Sequence, residues 1–243
     1  SAYLAKARKG WDFLTKAITK YGKDGAYQKI TFYGDRWMHD DELAWAACEM
    51  YLATGEPLYQ EKLFKWFPRP NDSETFLWGW SRLAESWGNA IRSYAFAART
   101  GRLPLEKLDP VYLRLCEGQV LAAGDDARKW SDENAYGSSF PSETKRFRTA
   151  GWYFSLDKAS DMAAAWLIDR RPDYLEALVA NLNYEGGTNP VNVTYLTGLG
   201  LKRQREIVDQ SAQNERRVLP PSGIPLGNIQ AAFQHTPTYG FEL

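Results

Sequence analysis

Four aromatic side chains, Trp78, Trp80, Trp152 and Tyr153, stand where loop-like runs give way to helical patterns. Rings at such junctions can serve as platforms. A pyranose presents an apolar C–H face, and an aromatic ring offers a flat apolar body with specific geometry to stack against it. Tyr33, just ahead of Gly34-Asp35, is a fifth candidate for the edge of such a groove. Arg203 and Arg205 would supply the polar half of the contact, because a guanidinium carries several donors in a fixed fork that can meet sugar hydroxyls. Each has a plainer use, core packing for the rings and a solvated charged loop for the arginines. Ten Trp, fourteen Tyr and eleven Phe make the chain 14% aromatic. Most rings can fill a core while a minority lines a groove.

Other clusters carry less. Asp125-Asp126 with Asp132-Glu133-Asn134 offers oxygen ligands of the kind calcium takes, but the spacing is not that of an EF-hand, and the cluster reads as an exposed acidic loop. Asp41 and Glu42 read as a helix-start device, since carboxylates there offset the positive end of the helix dipole. His39 and His235 are the only histidines and lie far apart, so no zinc site is expected. The sequence contains no Gly-rich phosphate loop and no nucleophile elbow. No cofactor is expected.

The segment Asn189-Pro190-Val191-Asn192-Val193-Thr194-Tyr195-Leu196-Thr197-Gly198-Leu199-Gly200 joins a helix to a glycine-punctuated loop. Before it, Tyr174, Leu175, Leu178, Val179 and Leu182 recur at three and four residues, and the pattern stops at Gly186-Gly187. Ahead of it the chain is helix after helix, and the final stretch from Arg203 to Leu243, with Pro220-Pro221, Pro225 and Pro237, reads mostly as irregular. Leu4, Ala7, Trp11, Leu14 and Ile18 give a first amphipathic helix ending near Tyr21-Gly22. A second, preceded by Asp40-Asp41-Glu42, carries Leu43 to Leu52, closes at Thr54-Gly55 and is apolar nearly all round, a third covers about Leu58 to Trp66, and a fourth carries Ala84, Trp87, Ile91, Tyr94 and Ala98 before Gly101. A fifth is predicted over about Leu105 to Ala123 with Gly124 as its end signal, a sixth over Leu156 to Ile168, and a seventh from Pro172 to Tyr184 with Pro in a tolerated first-turn position. The mixture of amphipathic and enclosed helices suggests two concentric layers.

At 243 residues, one substantial domain spanning 1–243 is expected. Basic and acidic residues both total 30, so no net field draws the molecule to nucleic acid or an anionic membrane. No apolar run approaches the roughly 20 residues needed to cross a bilayer. Cys48 and Cys116 sit inside apolar helical patterns and read as small buried hydrophobes.

The order Asn-Pro-x-Asn-x-Thr-Tyr-x-Thr-Gly-x-Gly resembles the loop that borders the substrate cleft in glycoside hydrolase family 9, the endoglucanases and related β-glucanases. Asp41-Glu42-Leu43-Ala44-Trp45-Ala46-Ala47, with Tyr51-Leu52-Ala53-Thr54-Gly55-Glu56 after it, is similar to a second family segment. Phe76 to Ala98 and Gly151 to Ala165 fall where the family has tryptophan-bearing loops feeding helices. The resemblance implies an all-α (α/α)6 barrel of twelve helices, of which seven would make an incomplete portion. It implies a β-glucan such as cellulose as partner and a secreted or periplasmic location. It also implies inversion by a carboxylate base and a carboxylic acid, which typically stand roughly 6.5–9.5 Å apart to admit water. The family's Asp-x-Gly-Asp is absent: Phe32 precedes Gly34-Asp35 and Ala122 precedes Gly124-Asp125 where the first Asp should be. Glu242 is the only late glutamate in reach of the acid's place, one residue before the end, and the role is not carried over to it. The catalytic residues are therefore expected outside the chain. Two alternatives stand beside this reading: a non-catalytic carbohydrate-binding module on the same fold, and an unrelated (α/α)-barrel polysaccharide lyase.

Overall fold

A computed structural model describes residues 1–22, 40–68, 87–139, 155–190, 192–202 and 221–224. Its described residues form seven α-helices, with one short 3-10 turn at Leu105–Lys107. They divide into two compact units. Ser1–Phe76 with Ser81–Gln119 makes one, and Leu77–Trp80 with Val120–Leu243 makes the other.

In the first unit, α1 (Ala2–Tyr21) begins where the Ser1 hydroxyl accepts the Leu4 N–H, and it ends at Gly22 in a positive-φ conformation. Trp11 is its buried residue, edge-on to Tyr59 at 5.0 Å and tilted against Trp66 at 5.7 Å. α2 (Asp40–Thr54) is enclosed, with Leu43, Ala44, Ala47, Cys48, Met50, Tyr51 and Leu52 buried. α3 (Pro57–Trp66) starts with proline, whose missing N–H would have had no helical partner there. α4 (Trp87–Phe96) buries Ile91 and Tyr94. Cys48 and Cys116 are both buried free thiols, as their apolar setting predicts.

Tyrosine hydroxyls tie the ends of these helices to neighbouring backbone. Tyr51 donates to the Lys107 carbonyl, Tyr112 donates to the Phe67 carbonyl at 2.9 Å, and Tyr94 accepts the Asp109 N–H at 2.8 Å. On the accessible side, Glu49 takes both guanidinium nitrogens of Arg102, at 2.7 and 3.3 Å, and the Ser93 hydroxyl at 2.5 Å. Burial alone would push the Glu49 carboxyl up, but these hydrogen bonds outweigh it and hold the group below its ordinary value of 4.5. The contribution is therefore present above that pH and is lost as pH falls through the lower folded value. Arg102→Met should cost roughly 0.5–1 kcal/mol at neutral pH, as for an accessible ion pair. In denaturant titrations the gap to wild type should close below pH 4.5; a constant gap would mean that packing, not charge, carries the effect.

The second unit holds the later part of α5 (Pro110–Asp132) with α6 (Ser155–Ile168) and α7 (Pro172–Glu185). Ala127, Ala159, Met162 and Ala177 make its core, with Leu178 against them. The predicted fifth helix does not stop at Gly124. It starts at Pro110 after the 3-10 turn and runs on to Asp132. Gly124 works as a close-approach residue: a Cβ added there would overlap Ala165 Cβ and lie 3.3 Å from Tyr174 Cε1 and 3.4 Å from the Asp161 carbonyl. Three helices meet at the one position with no side chain. Gly124→Ala should gain helix propensity yet cost about 1–3 kcal/mol net through overpacking. Combining it with Ala165→Gly should restore part of that loss in thermal unfolding.

The acidic cluster is mostly not a loop either, because Asp125, Asp126 and Asp132 lie within α5 and only Glu133 and Asn134 fall in the turn after it. Asp125 accepts from Arg171 at 2.9 Å and from the Tyr174 hydroxyl at 2.8 Å, Asp126 accepts from Trp130 Nε1 at 3.2 Å, and Asp132 accepts from Arg128 at 2.6 Å. Glu133 pairs with Lys129 at 3.9 Å. Arg171 also forks onto Asp173 and lies over the Tyr174 ring at 4.3 Å.

The apolar spacing of α7 does not coincide with its buried face. Tyr174, Ala177, Asn181 and Glu185 are the buried positions, whereas Leu175, Val179 and Leu182 are exposed by 42%, 46% and 49%. Two polar residues take core places, and Asn181 does so with its amide bonded to Ser139 and to the Ala177 carbonyl.

Candidate functional site

The candidate site grows from the end of α7. Gly186 N–H returns to the Leu182 carbonyl, Gly187 N–H to Tyr184 and Thr188 N–H to Asn183, closing the helix in a tight turn with Gly187 at φ 118. Asn189 then organises the next turn from inside, only 3% exposed. Its amide donates to the Tyr184 carbonyl at 2.8 Å and to the Val193 carbonyl at 2.7 Å, and its oxygen accepts the Val193 N–H. Asn192 takes a left-handed φ of 53, which asparagine tolerates better than most residues.

Thr194 and Tyr195 fasten the loop to the helix end. Tyr195 N–H donates to the Glu185 carbonyl at 2.8 Å, and the Thr194 hydroxyl donates to the Gly186 carbonyl at 3.3 Å. Thr194 N–H donates to the Lys202 carbonyl, which brings the far end of the loop back. Tyr195 is buried beside Tyr184, with ring centroids 6.2 Å apart. Burial first, then Tyr184 and Glu185 nearby, push its hydroxyl up to about 12. It stays neutral and acts as a packing group.

Leu196 to Leu199 form a turn closed by Leu199 N–H to the Leu196 carbonyl, with Gly198 at φ 72 in the third position that a type II turn requires. Gly200, at φ 78, has the Thr194 hydroxyl where a Cβ would project. Almost every polar side chain of the segment is thus turned inward. Gly198 to Lys202 and Asn192 face solvent, with Leu199 47% exposed and Leu201 fully so.

A second polar anchor sits across α7. Asn181, fully buried, accepts the Ser139 N–H at 2.8 Å and donates to the Ser139 hydroxyl at 3.0 Å and to the Ala177 carbonyl at 2.8 Å. It holds the chain that leaves α5 against α7. Asn134 folds the turn between them, donating to the Trp130 and Ser138 carbonyls.

All seven residues expected to touch ligand, Tyr33, Trp78, Trp80, Trp152, Tyr153, Arg203 and Arg205, lie outside the described residues, as does Glu242. Sequence reasoning missed Asn181 because an asparagine within an apolar stripe looks like a surface residue. It also missed the contact between Thr197 and Pro221–Ile224, since the later segment read as irregular; its Pro220-Pro221 was the available signal for a fixed turn. No group of three or more metal-binding side chains occurs among the described residues, nor does a helix long and apolar enough to cross a membrane.

The described residues thus form a helical scaffold that carries a glycine-cornered loop at the end of α7. The sequence pattern of glycosyl hydrolase family 9 matches residues 1–237, and the chain belongs to that family. A xyloglucan-specific endo-β-1,4-glucanase, BoGH9A of Bacteroides ovatus, is 26% identical over 174 residues, which are 70% of this chain and 27% of that protein. Among solved structures, a metagenome-derived family 9 endoglucanase superposes with a TM-score of 0.63 at 20% identity, covering 82% of this chain and 33% of its own. AaCel9A, solved with a cellobiose-like isofagomine, gives 0.63 at 18% identity, over 84% and 36%. The all-α fold of (α/α)6-barrel type is that of these enzymes. The chain spans about a third of their length or less.

Proposed function

We propose that residues 1–243 form part of the single catalytic domain of an inverting glycosidase that cleaves the main chain of a β-glucan such as cellulose or xyloglucan. The observation that carries this reading is the family match over residues 1–237 combined with an intact, internally bonded Asn189–Gly200 rim. The base and acid lie outside the chain, which contains no Asp-x-Gly-Asp. The chemistry then needs only two carboxylates and a water between them, without a metal or organic cofactor. The aromatic and arginine candidates would line the groove, Trp78, Trp80, Trp152 and Tyr153 by stacking. Polymeric substrate fits a secreted or periplasmic location.

The test is reducing-end release from carboxymethylcellulose and xyloglucan by the full-length protein. Release of saturated oligosaccharides supports the proposal. Oligosaccharide binding without release would replace it with a non-catalytic module, and products absorbing in the ultraviolet would indicate a lyase. Removing either carboxylate should lower the rate by about 10²–10⁴-fold, the usual worth of general acid or base assistance.

A further inference from the structure

Thr197 spends all four of its polar functions on one short segment. Its N–H donates to the Ile224 carbonyl at 3.0 Å, and its carbonyl accepts the Gly223 N–H at 2.7 Å. The hydroxyl donates to the Pro221 carbonyl and accepts the Ile224 N–H at 3.0 Å. At 3% exposure the side chain itself meets no ligand. The next residue, Gly198, interlocks with the same segment, because Ser222 Cβ and Oγ occupy the space where a Gly198 Cβ would stand. The exposed turn is thereby fixed on its inner side.

We propose that Thr197 is a positioning residue for glucan: by clasping Pro221–Ile224 it fixes the Gly198–Leu199–Gly200 backbone as a rigid sugar-facing surface. The proposal rests on the glycosidase reading for its substrate class. The surface alternates exposed apolar side chains, Leu199 and Leu201, with glycine backbone, which suits a chain whose rings present apolar faces edged by hydroxyls. Only a hydroxyl can serve both the Pro221 carbonyl and the Ile224 N–H. Valine keeps the shape and loses both bonds, whereas serine keeps both.

The experiment measures KM and kcat on soluble β-1,4-glucan for the full-length protein and its Thr197→Val and Thr197→Ser variants. Thr197→Val should raise KM about tenfold with kcat within about twofold, since a small displacement of a binding surface weakens productive positioning without touching the reacting groups. Thr197→Ser should match wild type. Thr197→Ala, which removes the hydroxyl and adds no bulk, should reproduce the KM rise and carries the test if Thr197→Val does not fold. A lowered melting temperature with unchanged KM in both would overturn the proposal. If wild type binds glucan oligosaccharides without cleaving them, the glycosidase reading fails alone, and the same tenfold loss is then read on Kd by calorimetry. Wild type that neither cleaves nor binds overturns both.

Discussion

Asn181→Leu should destabilise the protein by roughly 2–4 kcal/mol, because at nearly constant volume it removes the side chain that, among the described residues, serves both the N–H and the hydroxyl of fully buried Ser139. A buried N–H left without an acceptor carries most of that cost. Ser139→Ala keeps the backbone bond and should cost much less, about 1 kcal/mol. The pair should be non-additive in a double-mutant cycle, since both changes break one contact. Equal losses for the two single variants would show that the side-chain contact, and not the Ser139 N–H, carries the energy.

Gly200→Ala is expected to cost roughly 2–4 kcal/mol, from two sources of similar size. An alanine at φ 78 carries left-handed strain of about 1–2 kcal/mol. Its methyl also meets the Thr194 hydroxyl, which is held by the Gly186 carbonyl, and so behaves as overpacking worth about 1–3 kcal/mol. Adding Thr194→Ser should leave the loss nearly intact, because serine retains the obstructing oxygen. Adding Thr194→Ala should relieve most of the steric part, the closest overlap being with the hydroxyl, and leave the strain. Hydrogen exchange read on residues 194–202 would separate these, with local opening expected in Gly200→Ala and reduced opening in the double variant.

Helix positions were largely legible because the apolar repeat reports the period directly. α1, α3, α6 and α7 begin and end within two residues of expectation, and α2 takes in the acidic residues expected to precede it. What failed were signals with two physical uses. Glycine ends helices, but it also lets them approach, and nothing local to Gly124 distinguishes the two; Ala165 and Tyr174 do, from other helices. Leucine marks a buried face, yet α7 buries Asn181 and Glu185 while Leu175, Val179 and Leu182 face outward. The choice is made by buried partners such as Ser139, which the periodicity of one helix does not encode.

The Asn189–Gly200 segment was legible as a family marker, though its polar residues do not serve as their types suggest. Asn189, Thr194 and Thr197 look like ligand-binding polar groups, but each is buried and bonded to backbone. Their work is to shape a surface. The groups that would touch sugar are then the exposed backbone and apolar side chains of residues 198–202, which carry little chemical signal in a sequence.

The most direct test is hydrogen exchange of the full-length protein with and without a saturating β-1,4-linked gluco-oligosaccharide. New protection is expected to concentrate on residues 198–202, with residues 193–195 and 197 already protected before the sugar is added. Saturable binding that leaves residues 198–202 unchanged would contradict this expectation.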